Sequence, residues 1–308
     1  MAFSKLWRKK LILVKIESTY GTDPTPAGTD ALLTMNAQIR AVADQLEREY
    51  DQPYLGGKPF VLTGKRYELE FDVEVAGSGT AGTPPKYDAL LRACGFAVTN
   101  TPSTSDVYAP VSASFESATI YFWAEGQRHI LVGCRGSVSL DLTIRQYGKW
   151  RFRMTGYYAA PTDTTQATPT YANQATPLAI AESNWVCTLD SYDMQTHSLQ
   201  IDLSNDVQHL ESSEDEEVVI LDRRTSGSVQ IYAPDIATKN VWTQATGHGL
   251  YALSTALTGS AGNIVTVAGP KVQAGMPEVA ELNGNVGYTI PLSFTPNAGN
   301  DELTITFT

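Results

Sequence analysis

The chain has 308 residues, 42% of them hydrophobic and 18% charged, which is typical of a folded protein with one large domain or two smaller ones. Three isolated cysteines and four scattered histidines argue against a disulfide framework and a metal site, and no apolar run reaches the ~18 residues of a transmembrane helix. Residues 1–160 carry a net charge of +2 and residues 161–308 one of −13. The acidic half therefore lacks the basic patches that hold nucleic acid, while the asymmetry favours association between copies of the chain.

The first half of the chain begins with MAFSKLWRKKLILVKIE, which places basic residues beside a short apolar run. Lys15 interrupts that run and no small-residue cleavage site follows, so a secretory signal is not expected. A helix is predicted at about 84–94, with Thr83 as N-cap, Pro84 at the first helical position and Gly95 at its end. Alternating apolar and polar residues predict strands at 36–42, 65–75, 118–123, 136–144 and 150–158.

A break in composition divides the chain almost in half. The stretch AAPTDTTQATPTYANQATP at 159–177 has no Lys or Arg, is rich in Thr, Ala and Pro, and shows no periodicity. Such a composition is typical of a linker. We therefore expect a first domain at 1–160, a linker at 161–180 and a second domain at 181–308.

The second half repeats the order of the first. A helix is predicted at 235–249, capped by Asp235, and the acidic run ESSEDEE at 211–217 lies between two strands. That run has neither the glycine nor the ligand spacing of an EF-hand loop, and a solvated loop and a charged contact with a partner both remain open. Strands are predicted at 197–203, 225–233, 263–269, 285–294 and 302–308.

The matching segments lie roughly 150–160 residues apart, which predicts an internal duplication. Gln38 and Ile39 correspond to Gln200 and Ile201, and the last two strands of each half correspond as well. With one helix and many half-exposed strands per half, we expect an α+β fold, mostly β, built from two tandem domains with one flanking helix each.

Gly77, Gly79 and Gly82 form a Gly-x-Gly-x-x-Gly signature between a strand and a helix, the setting of a dinucleotide-binding turn. That fold needs a first strand that is buried on both faces. Here four carboxylates alternate along the strand, so we expect a flexible loop and no cofactor. No nucleophile elbow, Walker loop or zinc-protease motif is present, and no catalytic, cofactor or metal site is predicted. The acidic residues of this strand are Glu68, Glu70, Asp72 and Glu74.

Two stretches resemble a known family. KLILVKIESTYGTDPTPAGTDALL (10–33) and GCRGSVSLDLTIRQYGKWRFRMTGYY (133–158) are similar to tail tube proteins of long-tailed bacteriophages. The second stretch shows a Gly-x-x-Gly lead, an alternating strand, a tight turn and a closing strand that ends in Thr-Gly-aromatic. The resemblance covers residues 1–160, and the second half matches only in its pattern.

The resemblance implies small β-sandwich or half-barrel domains whose inner sheets join into a ring, with rings stacked into a tube that delivers DNA. The chain would then be a structural virion protein of a phage tail, assembled in the host bacterial cytoplasm, with no cofactor and no membrane partner. Its partners would be copies of itself, a tape measure protein, a tail terminator and distal tail or baseplate proteins, with DNA passing through unbound. The alternative is a monomeric β-sandwich adhesin or carbohydrate-binding module, which would show an exposed aromatic platform.

Two tube-like domains per chain predict that three chains close a ring of pseudo-sixfold symmetry. The acidic face of the strand at 65–75, with Glu68, Glu70, Asp72 and Glu74, is the candidate lumen wall, because DNA passes freely only along a neutral or acidic surface. Stacking of rings is expected to bring a basic amino-terminal arm against an acidic loop of the next ring. These inter-ring candidates are Lys5, Arg8, Lys9 and Lys10 in the arm, and Glu211, Glu214, Asp215, Glu216 and Glu217 in the loop.

Overall fold

The structure, a computed structural model, describes residues 6–308. It contains a 3-10 turn at Gly28–Asp30 and two short helices, α1 (Asp88–Ala93) and α2 (Val241–Thr246). The strands are β1 (Lys10–Ile16), β2 (Ala31–Leu32), β3 (Met35–Glu47), β4 (Phe60–Glu74), β5 (Phe96–Thr101), β6 (Ser105–Pro110), β7 (Ala118–Ala124), β8 (Gln127–Thr143), β9 (Lys149–Tyr157), β10 (Thr162–Asp163), β11 (Trp185–Leu189), β12 (Tyr192–Asp193), β13 (Thr196–Asp202), β14 (Asn205–Glu211), β15 (Glu216–Arg223), β16 (Ser226–Tyr232), β17 (Leu250–Leu257), β18 (Val265–Ala274), β19 (Glu278–Leu282), β20 (Asn285–Thr295) and β21 (Thr304–Phe307).

The predicted fold class is confirmed, since antiparallel strands dominate and the two helices are short. Alternation within each strand explains this outcome. In β4, Leu69, Phe71 and Val73 are buried, while the intervening carboxylates lie on the opposite face. A strand with one apolar face stabilises a sheet by covering a core on one side only. Over residues 6–308, no helix is long and apolar enough to cross a membrane.

The principal sheet joins both halves of the chain. Its pairings run β3–β4–β9–β8 in the first half and β13–β16–β20 in the second, and β18 and β19 both pair with β20. The halves meet where β8 pairs with β13, with Leu140 opposite Ile201 and Leu142 opposite Leu199. A second junction pairs β6 with the last strand, β21. One apolar core cluster consequently contains residues of both halves.

A second layer of pairings packs against the principal sheet in the same order in each half. In the first half β1 pairs with β2 and β7, and β7 pairs with the first part of β8. In the second half β11 pairs with β12 and β17, and β17 pairs with β18. In the second half, β20 therefore corresponds to β9 of the first half, and β18 and β19 together correspond to the long strand β8. The predicted match between the final two strands of each half is therefore wrong, because β21 does not pair with β20. It pairs with β6 and with the first part of β18, as β10 pairs with the first part of β8.

Both helices are shorter than predicted. The helix expected at 84–94 covers only Asp88–Ala93, and its N-cap is Tyr87, with no side-chain capping bond, instead of Thr83. Its end at Gly95 is confirmed, since Gly95 has a φ of +86°. In the second half, Asn240 caps the helix by accepting a hydrogen bond from the amide of Thr243, so the predicted cap at Asp235 is wrong. The residues before each helix form turns instead.

The glycine signature is part of a close contact between loops, so the expected flexible loop is not what the structure shows. A Cβ on Gly77 would overlap the backbone of Gly262, and one on Gly82 would overlap the backbone of Ser103. The amide of Gly77 donates a 2.8 Å hydrogen bond to the side chain of Asn263. Glycine is needed at both positions because other backbone approaches too closely for any side chain, and at Gly77 that backbone belongs to the second half.

The stretch expected to be a linker, residues 161–180, is held against both halves. Its Thr170 amide donates to the carbonyl of Gly28 in the first half, and the side-chain amide of Asn263 in the second half donates to its Thr176 carbonyl at 3.1 Å. Ile180 at its end is buried. The stretch thus crosses from one half to the other as an ordered connection.

Candidate assembly surfaces

The four carboxylates predicted for the lumen wall lie on the polar face of the principal sheet. Because β4 pairs with β9, they face a row of basic side chains, with Glu70 opposite Arg153 and Asp72 opposite Arg151. Asp72 is almost fully buried, and it accepts hydrogen bonds from Arg151 at 3.0 Å and from the side-chain amide of Asn36 at 2.8 Å. Its hydrogen bond and charge raise the pKa of Arg151.

Three of these four carboxylates are paired with arginine. Glu68 forms an ion pair with Arg40, and Glu70 lies 3.7 Å from Arg151 and 3.9 Å from Arg153. Within residues 6–308, the carboxylate of Glu74 alone of the four forms no ion pair or hydrogen bond. The sequence showed the acidic row, but the basic row comes from a strand far along the chain. The face is therefore close to neutral where an acidic face was expected.

The polar face carries a depression at the junction between the halves. This depression of about 300 Å³ lies across β4, β9, β8, β13 and β16. Its polar lining includes charged residues of both signs, and Arg153 forms an ion pair with Asp202 across it at 3.4 Å. The polar and charged residues that line it are Asp72, Ser139, Asp141, Lys149, Arg151, Arg153, Gln200, Asp202, Ser226 and Ser228.

The principal sheet ends in two open strand edges. Within the described residues, β3 pairs with β4 alone and β19 pairs with β20 alone. Val279 in β19 is 66% exposed, beside a backbone edge with no partner strand. Exposed edges of this kind bind further strands readily, which makes both edges candidate contact surfaces.

The predicted basic arm lies only partly within the described residues, because Lys5 is outside them. Arg8 is exposed. Lys9 forms an ion pair with Glu125 at 2.5 Å, and Lys10 donates a 2.6 Å hydrogen bond to the carbonyl of Ala37. The structure therefore gives Lys9 and Lys10 partners in their own chain and leaves Arg8 free among the arm cations it describes.

The predicted acidic loop is the tip of the β14–β15 hairpin. Three of its carboxylates, those of Glu211, Glu214 and Asp215, are exposed and have no ion-pair partner in the described part of the chain. Glu216 lies 2.7 Å from His209, and Glu217 forms a 2.7 Å ion pair with Arg135. The tip is thus more available for an outside contact than the base of the hairpin.

Arg135, a residue that holds this hairpin, was not predicted from the sequence. Arg135 is almost fully buried and donates to the carbonyls of Val218 at 2.7 Å and Phe115 at 2.9 Å. Its guanidinium also lies 4.6 Å from the ring centroid of Tyr20, whose hydroxyl accepts a hydrogen bond from the amide of Val218 at 2.7 Å. The sequence signal was the Gly-x-x-Gly block, in which Arg135 stands between the glycines.

Glu17 is a second missed residue, and it connects the two stretches on which the family resemblance rests. Its buried carboxylate accepts hydrogen bonds from Ser117 and Thr119 at 2.6 Å and from the amides of Gly21 and Gly133 at 2.8 Å. Four donors satisfy a carboxylate that would otherwise be costly to bury. Glu17 therefore fixes residues 10–33 against residues 133–158.

These surfaces are suited to contact with other chains, and no group of His, Cys, Asp or Glu in residues 6–308 could hold a metal ion. A search of curated proteins found no match. A family model described as phage tail tube protein matches residues 7–303. The chain belongs to this family. It is a structural tail tube protein, a component of the virion tail that self-assembles into a tube with other tail proteins, and its family favours a non-enzymatic role.

Proposed function

We propose that three chains close a ring of pseudo-sixfold symmetry, and that such rings stack into the tube through which the phage delivers its DNA. Each chain supplies two tube domains, residues 1–160 and 181–308, connected by residues 161–180. The repeated order of pairings in the two halves supports this division. A ring of six positions can be filled by three chains when each chain fills two of them.

The observation that carries the proposal is the β8–β13 junction, since it provides a template for the contact between chains. There β8 forms the edge of the first half's part of the principal sheet, and β13, the first principal-sheet strand of the second half, pairs with it. The corresponding free edges are β19 and β3. If β3 of one chain pairs with β19 of the next in the register that β13 has with β8, Ile39 lies opposite Val279 and Arg40 lies opposite Glu278. The first pair is apolar on the core side of the sheet and the second is oppositely charged on the polar side, so both stabilise the pairing.

On this proposal each chain contributes eight strand positions to the inner wall, namely β3, β4, β9, β8, β13, β16, β20 and the β18–β19 pair. Three chains then form a barrel of 24 strands, which at ~4.8 Å spacing and ~45° tilt has a diameter of about 50 Å. Side chains reduce the bore to about 40 Å by the same geometry, which still admits duplex DNA.

The polar face of the principal sheet, with Glu68, Glu70, Asp72 and Glu74, lines this bore. Paired carboxylates and arginines leave little net attraction for phosphate, so DNA moves along the wall without being held. A tube map that placed the four carboxylates on the outer surface would refute this part of the proposal.

Stacking is proposed to join the basic arm of one ring to the acidic hairpin tip of the next. The arm cations are Lys5, Arg8, Lys9 and Lys10, and the carboxylates are Glu211, Glu214, Asp215, Glu216 and Glu217. Single exposed pairs contribute only ~0–1 kcal/mol, but a ring repeats them. Replacing the four cations by Ser should leave rings intact and weaken polymerisation at low salt. Equal polymerisation at low and high salt in both proteins would argue against the contact. Tape measure, terminator and baseplate proteins are the further proposed partners, with assembly in the host cytoplasm.

Ring closure is tested by mass and by one edge variant. Mass per unit length of assembled tubes should give three chains per ring, and six would overturn the proposal. Val279→Lys places a charge at the proposed edge contact, where the side chain is exposed in the subunit, so the variant should fold but form no rings. Val186→Lys is the matched control on the exposed face of β11 and should assemble as the parent does. Rings formed equally by both variants would contradict the proposed edge pairing.

A further inference from the structure

The far ends of β3 and β4 form a hairpin that leaves the body of the protein. Residues 44–63, here called the arm hairpin, pair with each other through Gln45 opposite Leu62 and Glu47 opposite Phe60. Phe60 is 52% exposed and Leu62 is 44% exposed. Five further large apolar residues of the arm hairpin are also exposed: Leu46, Tyr50, Tyr54, Leu55 and Val61. An exposed apolar concentration of this kind marks a contact surface.

The second half carries the same hairpin in the same register. There Val207 lies opposite Ile220 and His209 opposite Val218, and the hairpin likewise connects the first two principal-sheet strands of its half, β13 and β16. Phe60 and Leu62 therefore correspond to Val218 and Ile220. The burial of the two pairs differs sharply, since Val218 is 0% and Ile220 9% exposed.

The first half of the same chain buries Val218 and Ile220. The β14–β15 hairpin lies along the edge of β8 between the segments that pair with β7 and β13. Asn205 at its start donates 2.8 Å hydrogen bonds to the carbonyls of Gly136 in β8 and Cys94 at the end of α1. A Cβ on Gly95 would lie 3.4 Å from the side chain of Ile220. The hairpin thus seals the space between the end of α1 and the edge of β8.

The corresponding space in the second half is an open groove. It has a volume of about 430 Å³ and lies between the end of α2 and the edge of β18, lined by Ala245, Thr246, His248, Gln273, Ala274 and Met276 among others. Ala274 pairs with Leu292 as Gly136 pairs with Met154. His248 follows the C-cap of α2 with a φ of +53°, as Gly95 follows that of α1 with a φ of +86°. The groove is therefore the counterpart of the site that the β14–β15 hairpin fills.

We propose that the arm hairpin of one subunit docks in this groove on the second half of the next subunit, burying Phe60 and Leu62 as Val218 and Ile220 are buried within the chain. The inference rests on the proposed ring. Within the chain, β13 pairs with β8 of the first half, and the β14–β15 hairpin follows β13 directly. This hairpin therefore lies over the half to which β13 pairs. In the ring, β3 joins β19 of the next subunit, so the arm hairpin that continues β3 lies over that subunit's second half.

The occupant is a second copy of the chain and not the chain itself. β3 and β19 lie at opposite ends of the principal sheet, so the arm hairpin and the groove of one subunit are separated by the intervening strands. Each subunit therefore offers one arm hairpin and one groove. Such a heterologous contact closes into a ring without leaving either surface exposed.

A disulfide test reads the contact directly. In a Leu62→Cys, His248→Cys variant, mild oxidation of assembled protein should give covalent dimers and trimers on a non-reducing gel, with the series ending at the trimer because the ring closes. The control is Val61→Cys with His248→Cys, since Val61 points to the opposite face of the strand and should link far less. Equal linking by both variants, or no linking by Leu62→Cys in assembled tubes, would overturn the proposal.

A second pair of variants tests the energy of the contact without new cysteines. Phe60→Ser with Leu62→Ser should weaken subunit association by roughly a hundredfold, as expected for removing two buried apolar side chains from an interface. Val61→Ser should change association much less. Both should melt as the parent subunit does, because these side chains are exposed in the subunit. Unaltered association of the double variant would refute the docking, while failure of the parent to form three-chain rings would refute the proposed function itself.

Discussion

Replacing Arg135 by Met should destabilise the subunit by about 3–5 kcal/mol, because its buried guanidinium connects the β14–β15 hairpin to the first half. The substitution keeps much of the length of the side chain and removes its donors. The carbonyls of Val218 and Phe115 then lose charge-assisted hydrogen bonds of 2.7 and 2.9 Å. Each such loss in a buried site costs roughly 1.5–3 kcal/mol.

The measurement is equilibrium unfolding in urea, on dilute subunits below the concentration at which rings form. Glu217→Gln is the matched control. It removes the ion pair to Arg135, but the Glu217 side chain is about half exposed and the amide still accepts, so the loss should be only ~0–1 kcal/mol. Hydrogen exchange at the amide of Val218, which donates to Tyr20, should speed up in the Met variant. A Met variant within about 1 kcal/mol of the parent, with protected Val218, would refute the reasoning.

Three further predictions follow from the buried loops, thiols and histidine. Gly77→Ala should lower the free energy of unfolding in urea by ~2–4 kcal/mol, because its Cβ would overlap the backbone of Gly262. Gly57→Ala, with no atom within 4 Å of its Cβ, should leave that free energy nearly unchanged. Equal effects of the two substitutions would contradict the close approach at Gly77. The three buried cysteines should resist a thiol reagent at pH 8 until urea is added, since burial raises the pKa of Cys187 to about 11 and raises those of the other two as well; fast labelling of native protein would contradict this. Burial lowers the pKa of His129, so the folded state disfavours protonation of this side chain. Its contribution to stability is therefore present above the unfolded pKa of about 6.5 and is lost as pH falls below that value. His129→Gln should flatten this part of the curve of stability against pH, and an unchanged slope would contradict the lowered pKa.

Strands were predictable from the sequence because alternation is a local property. The strand segments expected in both halves, such as 65–75 and 285–294, appear within β4 and β20. Local sequence signals gave a wrong helix start where contacts with residues distant in the sequence determine the backbone conformation. Thr83 and Pro84 form a good helix start, yet the chain makes turns there, since the neighbouring glycine loop packs against residues from the other half. Propensity is a weak signal against such tertiary contacts.

The assembly surfaces were predictable only in part for the same reason. The acidic row of β4 can be read directly from its sequence, but its neutralisation by Arg151 and Arg153 depends on the pairing of β4 with β9. The open edges of β3 and β19 follow only from the full set of pairings. The repeated order of elements could be read from the sequence, but β21, which pairs with β18 and not with β20, hid the match between β9 and β20.

In the proposed ring, the same contact between a hairpin and a neighbouring domain occurs twice, once within each chain and once between chains. The two contacts need different amounts of stabilising free energy. The hairpin within the chain is held at high effective concentration, so small apolar residues, Val218 and Ile220, suffice beside polar anchors such as Arg135. The arm hairpin must also offset the translational and rotational entropy lost on association. Larger apolar side chains at the matching positions, Phe60 and Leu62, meet that requirement because they bury more area. The difference between the two hairpins is therefore what is expected if one contact forms during folding and the other during assembly.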